Sequence, residues 1–257
     1  MMRFFLPCVC CILLACQPSS SPQNTPQDSS PIDSVKTREL PEVSPPQPEL
    51  PPVPDTTELE HTLIRQGLVN MASVNPTVIQ NMMYSTEDNF MQADVYGDFD
   101  ACYLQVEVAE RLSSAQQCLQ EKDSLLSIIV FDCVRPRSVQ FKMWEIVKDT
   151  DQRNYVAAPT GGGSMHNYGA AVDLGLWHQD SGLVDMGTSF DFFGELAQPR
   201  YEDRFLKSGQ LSAEQVSNRR TLRACMLQAG FHGILSEWWH FVGFPRKEVR
   251  QKYQIVE

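Results

Sequence analysis

Basic charge is scarce in this chain: its 257 residues carry 21 Lys and Arg against 32 Asp and Glu, a formal net charge of -11. Nucleic acid and anionic lipid surfaces both demand clustered cations, so neither is an expected partner, and no protein partner is inferred either. Long apolar runs are also missing. The one apolar stretch at the start, Phe4 to Leu14, is too short to cross a bilayer as a permanent helix. No internal repeat is visible, which argues against stacked-repeat architectures. Proline nearly disappears beyond Pro54, where only Pro76, Pro136, Pro159, Pro199 and Pro245 remain of 17. The four cysteines beyond the leader form no Cys-x-x-Cys pair, which weakens any thiolate metal site.

The ends of the chain speak to its destination. A charged start at Arg3 leads into the apolar stretch, which stops at Leu13-Leu14-Ala15-Cys16, and residues 1–15 read as an export signal. A small residue directly before a cysteine at that point resembles the lipobox of bacterial lipoproteins. That resemblance implies a lipid-anchored Cys16 at the cell envelope, with Gln17 directing the protein to the outer membrane, facing the periplasm, in a Gram-negative host. The plainer alternative is an ordinary signal peptide cleaved nearby. Residues 16–58, rich in Pro, Ser, Gln and Thr, read as a disordered tether, because such a composition buries too little apolar surface to offset its ordering entropy. Residues 59–257 have a length suited to one domain.

Cys102, Cys118, Cys133 and Cys225 stay in that domain, and an exported domain with an even number of cysteines is expected to form disulfides. Four cysteines allow three pairings. Cys102 and Cys118 flank one expected helix, whose rise of about 1.5 Å per residue holds them too far apart to bond. Cys102 with Cys133 is the favoured pair, and the alternatives stay open.

The pattern of the domain is mixed. Strand-like segments are Thr77 to Ser85, ending in a polar loop, the continuous apolar run within Ser124 to Phe131, Ala170 to Trp177, and Phe231 to Phe241 with an irregularity. Helical spacing marks Leu104 to Lys122, Pro136 to about Val147 and Glu214 to Ala229, with Gly230 at a C-terminal cap. Strands and helices without strict alternation point to an α+β fold, a single domain with a mainly antiparallel central sheet flanked by helices. Arg135 stands at the junction of the central strand with the helix that Pro136 opens.

Two stretches carry the chemistry. Ser164-Met165-His166-Asn167-Tyr168-Gly169-Ala170-Ala171-Val172-Asp173 and Ser236-Glu237-Trp238-Trp239-His240 supply two histidines, an aspartate and a further glutamate. A catalytic zinc needs three N or O ligands, an open position for water and a carboxylate that can take a proton from it. His166, Asp173 and His240 fit as ligands to one Zn2+ per chain at the sheet, with Glu237 as the base. Ala171 and Gly175 share the strand face of Asp173 and are small enough to leave room for a metal. One condition follows. Glu237 and His240 point to opposite sides of a regular strand, so the backbone must turn or bulge between them. His61, His178 and His232 match no carboxylate pattern and read as structural or surface residues.

The combination Ser164-x-His166-x-x-Gly169-x-Ala171-x-Asp173 with Glu237-x-x-His240 resembles the zinc D-alanyl-D-alanine peptidases, and the dipeptidase, VanX-like branch in particular. The resemblance extends to Asp132-Cys133-Val134-Arg135-Pro136, Tyr84-Ser85-Thr86-Glu87-Asp88-Asn89-Phe90, Met186-Gly187-Thr188-x-Phe190-Asp191 and Asn218-Arg219-Arg220. It implies that His166, Asp173 and His240 bind zinc, that Glu237 is the general acid and base, and that Arg135 stabilises the transition state. One departure is Cys133-Val134, where that branch carries an aromatic residue next to the Arg-Pro, a change that could reshape the substrate pocket. Asp132, Asp191 and Ser164 are candidates for holding the charged ends of a dipeptide.

The implied activity is hydrolysis of D-Ala-D-Ala to two D-alanines in peptidoglycan turnover. The alternatives are a D,D- or L,D-carboxypeptidase acting on stem peptides, which needs an open groove, and a non-catalytic wall-binding lipoprotein on the same scaffold, since a fold does not fix function. For the anchor, Cys16→Ser is expected to move the full-length protein from the membrane fraction to the soluble fraction. Unchanged membrane association would contradict lipidation.

Overall fold

A computed structural model describes residues 57–257. The signal at 1–15, Cys16 and all but the end of the 16–58 tether lie outside the described residues. In chain order the elements are α1 (Glu58–Arg65), β1 (Leu68–Asn70), α2 (Met71–Val74), β2 (Ile79–Gln80), β3 (Tyr103–Gln105), α3 (Val106–Lys122), β4 (Leu126–Asp132) and α4 (Arg137–Val147), then β5 (Ala171–His178), β6 (Gly182–Leu183), α5 (Glu202–Ser208), α6 (Ala213–Gln228), β7 (His232–Gly233), β8 (His240–Val242) and α7 (Arg246–Lys252). The architecture is α+β. The main sheet has the order β2-β4-β5-β8-β7, with β6 also on β5, and β1 pairs separately with β3. Every pairing is antiparallel except that of β2 with β4.

The centre of the sheet follows from composition. β4 is the continuous apolar run, and from Ile128 to Asp132 each of its residues is buried. Such a strand is covered on both faces, and α3 lies beside it with Val108, Leu112, Ala115 and Leu119 fully inside the core. α6 packs alongside α3. Its start is fixed by a reciprocal cap in which Ser212 Oγ accepts from the Gln215 amide and Gln215 Oε1 accepts from the Ser212 amide.

Two disulfides staple this arrangement. Cys118–Cys225 ties α3 to α6, and Cys102–Cys133 ties the residue before β3 to the residue after β4. The helix between Cys102 and Cys118 keeps those two apart, as its rise requires.

Three elements differ from the sequence reading. The strand expected over Thr77 to Ser85 shrinks to β2, because after the Asn81 amide donates to Val130 O the chain turns through Met83–Ser85 and buries Tyr84. The helix expected from Leu104 starts at Val106, since residues 103–105 pair with β1 instead. The strand expected over Phe231 to Phe241 keeps only its two ends as β7 and β8.

The Met186-Gly187-Thr188 and Asn218-Arg219 motifs meet around one buried guanidinium. Arg219 Nε donates to Met186 O at 2.6 Å and Nη1 to Leu196 O at 2.9 Å, with its cation 5.8 Å from the Trp238 ring centroid. Thr188 Oγ1 accepts from Trp238 Nε1 at 2.8 Å, so this arginine holds the segment that leads into β8. Arg219→Met is expected to cost about 3 kcal/mol in urea unfolding, because a buried and a part-buried carbonyl lose their donor and Glu202 is left with Arg223 as its cation. A loss within about 0.5 kcal/mol, the range of an ordinary surface change, would contradict that role.

Candidate functional site

His166 sits in a single 3-10 turn, Met165–Tyr168, before β5. Ser164 caps the turn: its Oγ accepts from the His166 amide at 3.3 Å, and its own amide donates to Asn167 Oδ1 at 2.7 Å. The turn closes at Gly169 with φ +62°, where a Cβ would stand 2.7 Å from Leu68 Cδ2, so both dihedral and space exclude a side chain. His166 Nδ1 lies 2.7 Å from the carbonyl of Cys133. A carbonyl only accepts, so Nδ1 carries the proton and Nε2 is left with its lone pair facing inward.

Asp173 and His240 are direct cross-strand partners on β5 and β8. His240 Nδ1 is 2.8 Å from Asp173 Oδ1, and His166 Nε2 is 3.3 Å from His240 Nδ1 and 3.4 Å from Asp173 Oδ2. One ligand atom from each residue falls within 4.8 Å of the others. Burial opposes charge on Asp173, yet the two imidazoles outweigh it and hold the carboxyl well below its usual range. Burial likewise opposes charge on His166, and the carboxylates of Asp173 and Asp132 outweigh it, raising its pKa. A buried carboxylate that draws positive charge onto its neighbours, beside two ring nitrogens, is a donor set that fits a divalent cation.

The backbone condition on Glu237 is met. Between β7 and β8, residues 234–239 leave the sheet, with Trp238 and Trp239 buried as anchors, and the sheet resumes where the Leu174 amide donates to Trp239 O at 3.1 Å. Glu237 therefore faces the same cavity as His240. Burial pushes its carboxyl up from the ordinary value, the direction that favours a proton-accepting role.

Arg135 completes the cavity from the end of β4. Its Nε donates to Asp132 Oδ2 at 3.1 Å, Nη2 pairs with the same carboxylate, and Nη1 donates to Gln140 Oε1 at 3.1 Å. A guanidinium has five N–H bonds, so two remain for a ligand. The cation lies 5.3 Å from the Tyr84 ring centroid, and the Tyr84 hydroxyl donates to Asp191 Oδ2 at 2.8 Å. Burial raises the Asp191 pKa well above its ordinary value.

Three sequence expectations change here. Asp132 does not hold a substrate: it has no exposed surface and spends its carboxylate on Arg135 and on the Tyr96 hydroxyl, which donates at 2.7 Å. Val134 does not line the cavity itself: it is fully buried in a cluster with Tyr84 and Tyr96. Gly175 does not make room for a metal. A Cβ there would lie 3.1 Å from the Phe131 ring, so the missing side chain accommodates that ring. His232, read as structural or surface, is exposed and borders the cavity, which Ser164 and Asp191 also line.

Three supporting residues escaped the sequence reading. Gln140 had a visible signal, a polar residue in the buried stripe Val139, Gln140, Met143 and Val147 of α4. Tyr84 was visible only as part of a resemblance block. Tyr96, in an irregular loop, left no signal. The cavity has a volume of about 570 Å³. It brings a triad that can hold a cation, a carboxylate that can move a proton and an arginine with free donors to one place, which is equipment for hydrolysing an acyl bond.

The family model described as D-ala-D-ala dipeptidase, of peptidase family M15, matches residues 65–256. Three D-alanyl-D-alanine dipeptidases are similar in sequence. That of Escherichia coli (strain K12) is 31% identical over 187 residues, covering 73% of this chain and 85% of the relative. That of Enterococcus faecium is 30% identical over 179 residues, covering 62% and 82%. That of Enterococcus faecalis (strain ATCC 700802 / V583) is 39% identical over 90 residues, covering 35% and 39%. The matched span runs from the end of α1 almost to the C-terminus and contains every residue of the site, and the chain belongs to the D-Ala-D-Ala dipeptidase family of M15 peptidases.

Proposed function

We propose that this protein is a zinc metallopeptidase that hydrolyses D-Ala-D-Ala to two D-alanines at the cell envelope. The observation that carries this reading is the meeting of His166, Asp173, His240, Glu237 and Arg135 on one cavity. His166 Nε2, an Asp173 oxygen and His240 Nδ1 would hold the zinc. When bound there, zinc supplies a water of lowered pKa and polarisation of the scissile carbonyl.

The remaining steps belong to the side chains. Glu237 takes the proton of the attacking water and returns it to the departing amine. Arg135, held by Asp132 and Gln140, directs its two remaining N–H bonds at the oxygen on which negative charge develops, and its rigid mounting avoids reorganisation at that moment. Asp191 suits the ammonium end of a dipeptide, whose positive charge would draw its burial-raised carboxyl back to the ionised form, and the Ser164 hydroxyl suits the carboxylate end. The presence of both Glu237 and Arg135 counts against a purely wall-binding role.

One observation supports a second reading. A cavity of about 570 Å³ that reaches past the triad to His232 and Arg246 lies in the range that takes drug-sized ligands, which suits a longer stem peptide. A hydrolysis panel separates the two: D-Ala-D-Ala should be cleaved and a stem pentapeptide spared, with all turnover lost on chelation. Preferred cleavage of the pentapeptide would support the carboxypeptidase instead.

Purified protein is expected to contain one zinc per chain, and full activity in metal-free protein would end the metallopeptidase reading. Glu237→Ala should keep that zinc and lose turnover by at least about 100-fold, the scale of a general acid–base contribution. Near-normal hydrolysis by the variant would remove Glu237 from the role.

A further inference from the structure

The segment that joins β4 to α4 holds two parts of the site at once. The carbonyl of Cys133 fixes the ring of His166, and two residues later Arg135 enters the cavity. Nothing in the main sheet holds this segment, because the β4–β5 ladder already shifts register between Val130 and Asp132 and ends at Asp132. From Cys133 onward its backbone is held by few bonds: the Val134 amide donates to Tyr103 O at 3.1 Å and the Val134 carbonyl accepts from the Tyr96 hydroxyl at 3.1 Å, the Arg135 amide donates to His166 O at 3.0 Å, and Asn167 Nδ2 donates to Arg135 O at 2.7 Å. The last two tie the segment to the very turn it is meant to orient. The first two are single hydrogen bonds from outside that turn, and a covalent anchor on the same side would fix segment and turn together.

Cys102 supplies one. It is fully buried beside β3, which belongs to the separate two-stranded sheet, and its disulfide joins that sheet covalently to Cys133. Cys102 is itself held on both sides of its backbone, its amide donating to Gln80 Oε1 at 2.7 Å and its carbonyl accepting from the Met71 amide at 2.8 Å. The bond therefore runs from a well-anchored residue to the carbonyl that sets the histidine.

We propose that the Cys102–Cys133 disulfide is a positioning device for the active site, fixing the Cys133 carbonyl that orients His166 and the turn that delivers Arg135. It acts through those residues and does not touch substrate. The inference rests on the proposed metallopeptidase reading and goes beyond it: full activity requires the oxidised bridge, so the enzyme matures where disulfides persist. Cys118–Cys225 joins two helices, α3 and α6, that contribute no residue to the cavity, and it provides a matched control.

The test compares the full-length protein with two double variants, Cys102→Ala with Cys133→Ala and Cys118→Ala with Cys225→Ala. Zinc affinity is measured by chelator competition, kcat and KM on D-Ala-D-Ala, and Tm by calorimetry. The control pair closes a sequence separation of 107 residues against 31, so its removal should lower Tm at least as much. Only loss of Cys102–Cys133 should reduce zinc affinity and kcat, each by about 10- to 100-fold, the usual effect of removing a group that orients a metal ligand, with KM little changed. Native zinc affinity and kcat in that variant, or equal losses in the control, would overturn the proposal.

If the Cys102→Ala, Cys133→Ala variant does not fold, the control variant, whose domain retains only the Cys102–Cys133 bridge, is reduced with a phosphine. The phosphine is oxidised and two thiols form. Among molecules that keep native circular dichroism, kcat should fall in step with thiol release and return on reoxidation; unchanged kcat at full release would again overturn the proposal. Zinc affinity is read without substrate, so failure of the parent protein to cleave D-Ala-D-Ala would count against the proposed activity while the zinc comparison still decides the bridge.

Discussion

A guanidinium taken out of water must be paired, and the pairing of Arg135 with Asp132 is the constraint from which the site is built. Both groups are buried, and removal of either would leave an uncompensated charge at the end of β4. Satisfying Asp132 draws in the Tyr96 hydroxyl, and satisfying Arg135 draws in Gln140 from α4 and the ring of Tyr84. The irregular loop between β2 and β3 is thereby fastened under the cavity. Its position follows from electrostatic need more than from any propensity of its own.

The half of the site that could hold a metal ion has a different origin. Asp173 and His240 meet because an antiparallel ladder makes them neighbours, whereas His166 meets them because a capped turn and a left-handed glycine bring it back over the start of β5. The two halves join at Cys133, whose carbonyl faces the histidine while its neighbour Asp132 faces the arginine. One strand end thus sets a ligand and a cation together, and the cavity inherits its geometry from that single place.

Much of this was legible from residues alone. The apolar run of β4, the faces of α3 and α6 and the four candidate residues of the triad and Glu237 all have local signatures. The need for an irregular backbone before His240 followed from strand periodicity, and the chain meets it by leaving the sheet altogether over residues 234–239. What could not be read was partnership across distance. Asp132 looked available to a substrate because its type is polar, and only packing shows that Arg135 and Tyr96 consume it. Gly175 looked like space for an ion, and only the neighbouring strand shows that Phe131 fills that space. Short strands such as β2 and β7 depend on what they pair with, and two residues carry too little pattern to announce themselves.

The central claim is that two histidines and one aspartate, with no sulfur, hold a zinc ion in this cavity. X-ray absorption spectroscopy on the zinc-loaded full-length protein tests it most directly. The account predicts a first shell of nitrogen and oxygen only, at about 2.0–2.1 Å, with the outer-shell scattering of two imidazoles. A sulfur shell near 2.3 Å, or a spectrum without imidazole scattering, would contradict it.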